Sequence, residues 1–297
     1  MGDPSTILEK NGHYRRTSIA GHIVIGPELC QLYTLLSQYL HKKLHQLNYK
    51  RMIFPKILPL SQTNRTGHLK NLGAEFGLIT EFLDREGGTT KAIRNSGYIE
   101  QKLPSFAPVV KKLTKMVTYS QCLPFWPYVA GKKLIEPMRV YDNSGPSYRY
   151  QGNAVKGLER LNEFHRIEVI SICNVKEMSV EIGALDRLNR EIYGQDLKMQ
   201  YRVSEVPCWS DQTSYTAKTL DYQLYLPYKN KWLESNNLSD NGHKYCRLYG
   251  VKTKNDATGV SLCAGYGLDR IVTALLAQNQ CSIPKVKKLL ISLTRDK

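Results

Sequence analysis

Two strand-like runs joined by a glycine-containing polar loop constrain this chain more than any other feature. Val140 to Gln151 and Phe164 to Cys173 read as extended segments that return beside one another as a hairpin. Alternation then puts Arg149 and Gln151 of the first run on one face, with Phe164, Arg166 and Glu168 of the second. Two guanidiniums, an aromatic ring and a carboxylate on one sheet surface suit an anionic, base-bearing ligand. Cations neutralise phosphate oxygens, an aromatic stacks on a base, and a carboxylate holds an amine or a metal. An ordinary exposed hairpin face with cross-strand ion pairs is the plain alternative.

The rest of the chain supplies what such a hairpin needs in order to be buried on one side. Pro27 opens a helical pattern with Leu29, Leu32, Tyr33, Leu36, Leu40, Leu44 and Leu47 on one face. A strand-like run, Tyr49 to Leu58, follows; Pro55 inside it cannot donate to a ladder, which places this strand at an edge, a bulge or an interface. Asn174 caps a helix of about 20 residues with Met178, Ile182, Leu185 and Ile192 facing inward. Leu220 to Leu226, Trp232 to Asn237 and Ala257 to Cys263 read as further strands, and Leu268 to Gln278 as a short apolar helix. Strands in hairpins with a few helices between them predict an α+β fold, an antiparallel sheet flanked by helices.

Composition bounds the function more loosely. The net charge of +16 favours an acidic partner, although the basic residues form short clusters and no single long tail. The seven cysteines are scattered and show no C-x-x-C spacing, so a disulfide framework is not expected. No apolar run approaches the roughly 20 residues of a membrane span, and the first residues lack the apolar stretch of a signal peptide; a cytoplasmic protein is the expectation.

Residues 147 to 168, SYRYQGNAVKGLERLNEFHRIE, resemble motif 2 of the class II aminoacyl-tRNA synthetases, and most closely that of the archaeal-type (type 2) seryl-tRNA synthetases. Tyr148, Arg149, Arg160, Glu163, Phe164 and Glu168 match the pattern; Gln151 departs from it, since the family usually carries Glu there. CAGYGLDRIVTALL, residues 263 to 276, looks like motif 3, and LNYKRMIFPKIL, residues 47 to 58, like motif 1 with Pro55 as its signature residue. The resemblance implies one catalytic domain over 1–297, with motif 1 at about 27–58, motif 2 at about 147–168 and motif 3 at about 263–276. It implies that the helix and strand of motif 1 build a homodimer.

The same resemblance assigns roles. Arg149 grips the α-phosphate of ATP, Arg160 reaches the outer phosphates, Phe164 stacks on adenine, and Arg270 takes the γ-phosphate; Arg149 and Arg270 carry the catalysis. Glu234 helps hold magnesium on the nucleotide, and Gln151, Arg166 and Asn237 face the amino acid. Cys122, Glu168 and Cys263 fall on the positions that hold zinc in the type 2 enzymes. Thiolates and a carboxylate suit that metal, and three ligands leave a fourth position for the substrate's amine. His165 alternates away from this face and reads as structural; Trp126, Trp209 and Trp232 read as core.

The reaction implied is ATP-dependent activation of a small amino acid to an adenylate, followed by transfer. Motif 1 begins within the first few dozen residues, ahead of which a tRNA-binding domain is not expected. On that ground the expected acceptor is the phosphopantetheine thiol of an acidic carrier protein, to which a basic surface would be attracted. A seryl-tRNA ligase-like enzyme using tRNA, and a non-catalytic paralogue that senses an amino acid or nucleotide, are the alternatives.

Overall fold

The computed structural model describes residues 2–72, 75–81, 111–207 and 218–295. Its centre is a sheet of seven strands: β1 (Lys50–Met52), β2 (Met138–Asp142), β3 (Arg166–Cys173), β4 (Tyr201–Pro207), β5 (Lys218–Leu226), β6 (Lys231–Asp240) and β7 (Val260–Gly267). They lie in the order β4-β5-β6-β7-β3-β2-β1, antiparallel throughout except for the parallel pair β1 and β2. The antiparallel sheet with flanking helices agrees with the fold class expected from the pattern.

Helices cover one face. They are α1 (Pro27–Gln46), α2 (Val175–Arg190), α3 (Leu268–Gln278) and α4 (Ile283–Thr294). Pro27 starts α1, where a missing N–H costs nothing. Its buried stripe is the expected one, Leu29, Leu32, Tyr33, Leu36, Leu40 and Leu44, with Tyr39 added and Leu47 half-buried at the end. Asn174 caps α2 in a reciprocal capping box with Glu177. The stripe packs in one cluster with Ile167 and Val169 of β3, Leu262, Ala264 and Tyr266 of β7, and Val272, Leu275 and Leu276 of α3. Each fully buried leucine there contributes about 1.5–3 kcal/mol over leaving it exposed.

Among the described residues the opposite face is covered only in part. Val140, Ile170 and Ile172 pack under Phe54, Leu58, Trp126, Tyr245 and Cys246 in a second, smaller core. Along β3 that face reads Arg166, Glu168, Ile170, Ile172, so the same strand passes from a charged end to an apolar one.

Several segments differ from expectation. The run 49–58 is two strands, because the chain breaks at Ile53–Lys56 around Pro55. Ile57–Pro59 then pairs with Lys115–Val117 in a separate three-stranded sheet. The break is anchored by Asp142, which is fully buried, accepts from Phe54 N at 3.4 Å and pairs with Lys56. The first hairpin strand is likewise divided, into β2 and Ser147–Tyr148. Strand β4, helix α4 and the amino-terminal helix Pro4–Lys10 have no counterpart in the sequence reading. Trp126 is core, stacked on Tyr245 at 4.9 Å, whereas Trp232 is 37% exposed beneath the Arg202 guanidinium. Trp209 lies outside the described residues. Among the described residues no helix is long and apolar enough to cross a membrane.

Candidate active site

Three adjacent strands present their small and polar residues side by side. Glu168 of β3 sits opposite Gly265 of β7, and Gly265 opposite Asn237 of β6. The Arg166 side chain crosses that row: a Cβ on Gly265 would fall 1.6 Å from its Nη2 atom, so glycine is what lets the guanidinium lie over the sheet. Glu234 and Asn237 are three residues apart, and strict alternation would send them to opposite faces. A bulge between Tyr222 and Gln223 leaves Ser235 as the extra residue, and both side chains then reach one cavity.

That cavity holds about 220 Å³ and is lined by Arg149, Gln151, Arg160, Phe164, Arg166, Glu234, Asn237 and Arg270, all eight residues expected there apart from the metal set. Glu159, Ser235 and Asp269 also line it, and sequence reasoning gave them no role.

Each arginine is held from within the chain. Glu75 Oε2 accepts from Arg149 Nε at 2.5 Å, and Gln151 Oε1 accepts from Arg160 Nε at 2.7 Å. Arg166 Nη2 lies 2.6 Å from Glu168 Oε2. Arg270 donates to the Glu159 carbonyl at 3.1 Å and to the Glu234 carbonyl at 2.8 Å. Burial pushes the Arg270 pKa down and the Glu234 charge opposes it; a guanidinium keeps its proton in such a setting. The result is four cations, already aimed, around a space the size of a small ligand. Through this contact the Gln151 side chain orients Arg160.

Two further anchors sit behind the pocket. Asp269, nearly fully buried, accepts from His165 N at 2.6 Å and from the Tyr33 hydroxyl at 2.9 Å, tying α1 to the start of α3 beside Arg270. The His165 imidazole lies 3.4 Å from Asp269 Oδ1, and this contact raises its pKa. That is a structural position, as its place in the alternation implies.

Next to Arg166 the face changes character. The Cys122 and Cys263 sulfurs and a Glu168 carboxylate oxygen all lie within 4.8 Å of one another. Tetrahedral zinc with sulfur ligands at about 2.3 Å holds them about 3.8 Å apart, so the donor set fits that ion. The hydrogen bond to Cys263 and then burial push the Cys122 thiol well up; burial likewise raises Glu168, against the pull of Arg166. Asn241 Nδ2 approaches Cys263 Sγ at 3.4 Å, and Ser120 Oγ lies 3.1 Å from Cys122 Sγ, contacts of the kind that orient metal-binding thiols.

A family profile described as the tRNA synthetase class II core domain (G, H, P, S and T) matches residues 130–279. The chain belongs to that family. Beyond this class II core match, the chain is similar to the type-2 serine–tRNA ligase of Methanococcoides burtonii, 29% identical over 298 residues, which covers 93% of this chain and 59% of the relative. The enzyme of the same name from Methanothrix thermoacetophila is 29% identical over 93% of this chain and 58% of its own length. The chain thus spans a little under three fifths of these relatives. A solved structure of M. kandleri SerRS, in complex with A. aeolicus tRNASec, superposes with a TM-score of 0.90 at 22% identity, over 98% of this chain and 60% of that one. Giardia lamblia prolyl-tRNA synthetase in complex with prolyl-adenylate superposes with a TM-score of 0.73 at 14% identity, over 92% of this chain and 51% of that one. At these identities the superpositions establish the fold.

Proposed function

We propose that this class II core activates a small amino acid, serine, with ATP and transfers it to tRNA. The observation that carries the reading is a cavity lined by four internally held arginines, one of which, Arg166, pairs with Glu168 of a two-thiol, one-carboxylate cluster. One end suits a triphosphate and the other an α-amine.

In the first step the amino acid's carboxylate attacks the α-phosphorus, the bond to the β-phosphate oxygen breaks, and pyrophosphate leaves. Arg149 neutralises charge developing on the α-phosphate, while Arg160 and Arg270 hold the outer phosphates. Phe164 stacks on adenine, and Glu234 would help hold the magnesium that accompanies the nucleotide. Positioning and charge neutralisation supply the catalysis, without a protein nucleophile. Arg166 and Asn237 face the amino acid. In the second step a tRNA hydroxyl attacks the acyl carbon and AMP leaves. Cys122, Glu168 and Cys263 would hold zinc, whose chemistry here is to bind and orient a free α-amine.

The carrier-protein acceptor expected from the sequence gives way to tRNA. The relatives named above are tRNA ligases, and the net charge of +16 serves an RNA backbone as well as an acidic protein. A single domain over 1–297 and a homodimer formed through 27–58 stay part of the proposal. The edge position of β1 and the 76% exposure of Ile53 support the dimer. The test of the acceptor is transfer of radiolabelled serine from ATP-activated enzyme to tRNA or to holo-carrier protein. Charging of tRNA is the expected result; efficient loading of a holo-carrier with no tRNA charging would return the acceptor to the carrier.

A further inference from the structure

The loop that carries Arg160 is pinned on two sides, one of them by a part of the chain far away in sequence. On one side Glu159, 6% exposed, accepts from Tyr228 and Lys229. On the other, Leu158 N donates to Ser5 Oγ at 3.0 Å. Gly157, with φ of +46°, lies against Ser5, where a Cβ would come within 2.3 Å of the hydroxyl oxygen.

The centre of this packing is Asn162, only 3% exposed. Its backbone N donates to the Gly21 carbonyl at 3.0 Å and its Nδ2 to the Ala20 carbonyl at 2.8 Å. Its Oδ1 accepts from Gln151 N at 2.7 Å and its carbonyl from Arg149 N at 2.8 Å. One buried side chain thus joins the 17–22 turn to the backbone of Gln151, while the carbonyl of the same residue holds Arg149 N. Gly21 has φ of +73°, and a Cβ there would stand 2.6 Å from Asn162 N, so the turn has no room for another residue. Aspartate at 162 would keep the bond to Gln151 N, lose the donor to Ala20, and bury a charge.

We infer that Asn162, clamped by the Ala20–Gly21 turn, is a positioning residue for the phosphate end of the pocket. It fixes the backbone from which Arg149 and Gln151 project. With Ser5 it also holds the 152–163 loop in its binding form before a ligand arrives, so the ordering cost of that loop is met in folding and not in binding. The inference rests on the nucleotide reading above only for the identity of the ligand.

Hydrogen exchange and ATP binding on the full chain separate the two. Asn162→Ala and Gly21→Ala should speed exchange of amides in 149–163 while leaving β7 and α3 protected, and should weaken ATP–magnesium affinity by about tenfold. Ser5→Ala should act in the same direction more mildly, and it serves where the first two variants fail to fold. A purely structural role would lower Tm without moving the KM for ATP in the folded protein. Unchanged protection of 149–163 in Asn162→Ala, or in Ser5→Ala as the substitute, overturns the inference. If wild-type protein binds no ATP, the proposed function fails, and the exchange measurement still decides the clamp.

Discussion

The two ends of the open sheet face handle charge in opposite ways. At the arginine end each cation is aligned from within the chain by a carboxylate, an amide or a carbonyl: Arg160 through Nε, Arg149 and Arg270 through Nε and one outer nitrogen, and Arg166 through an outer nitrogen. At the cysteine end Cys122 and Glu168 are buried, and the contact with Cys263 and burial push the Cys122 thiol up. The first end is ready for an anion as it stands. The second gathers donors whose charges a cation would offset, because two thiols and a carboxylate cannot all ionise together in a buried space. The register of β3 against β7 puts these ends side by side, one pair of residues apart.

Breaking the cysteine end should have the largest effect. The double variant Cys122→Ala/Cys263→Ala should fall from about one zinc per chain to none, and lose amino-acid activation with it. Full metal content in that variant, read by elemental analysis, would dismiss the zinc assignment. At the arginine end, Arg149→Ala should lower activation by about 10²–10³-fold, the scale of one lost transition-state donor. Zinc content should be unchanged; a variant that also lost its metal would mean the two ends do not act separately. Restoring the family's carboxylate with Gln151→Glu should act weakly, raising the KM for ATP about two- to threefold by neutralising half-exposed Arg160. A large loss of activity would show that Gln151 contacts the amino acid directly. The smallest effect belongs to His165, behind the pocket. Its pKa is raised by Asp269, so its stabilisation is full below the ordinary histidine value and disappears as pH rises through the raised one. The Tm gap between wild type and His165→Gln should therefore shrink as pH rises from below the ordinary histidine range to above it; a gap that widens would assign His165 another role.

Legibility in the sequence followed locality. Helix α1 and helix α3 were readable from apolar spacing and from Pro27, because a stripe of leucines has one way to be buried. The alternation of Arg166 and Glu168 was readable for the same reason. Glu234 and Asn237 came from resemblance alone, since the bulge at Ser235 that brings them to one face leaves no local mark. Likewise the metal triad draws on three segments, and no spacing rule connects Cys122 to Cys263. Asn162, Glu75 and the amino-terminal turn were invisible: their partners are set by tertiary approach, and single polar residues in loops carry no period.

The most direct test of the central claim is amino-acid-dependent ATP–pyrophosphate exchange, measured with zinc-loaded protein across the full set of amino acids. The account predicts exchange with serine, abolished in Arg149→Ala and in the double cysteine variant. Folded, zinc-bound protein that catalyses no exchange with any amino acid would contradict it.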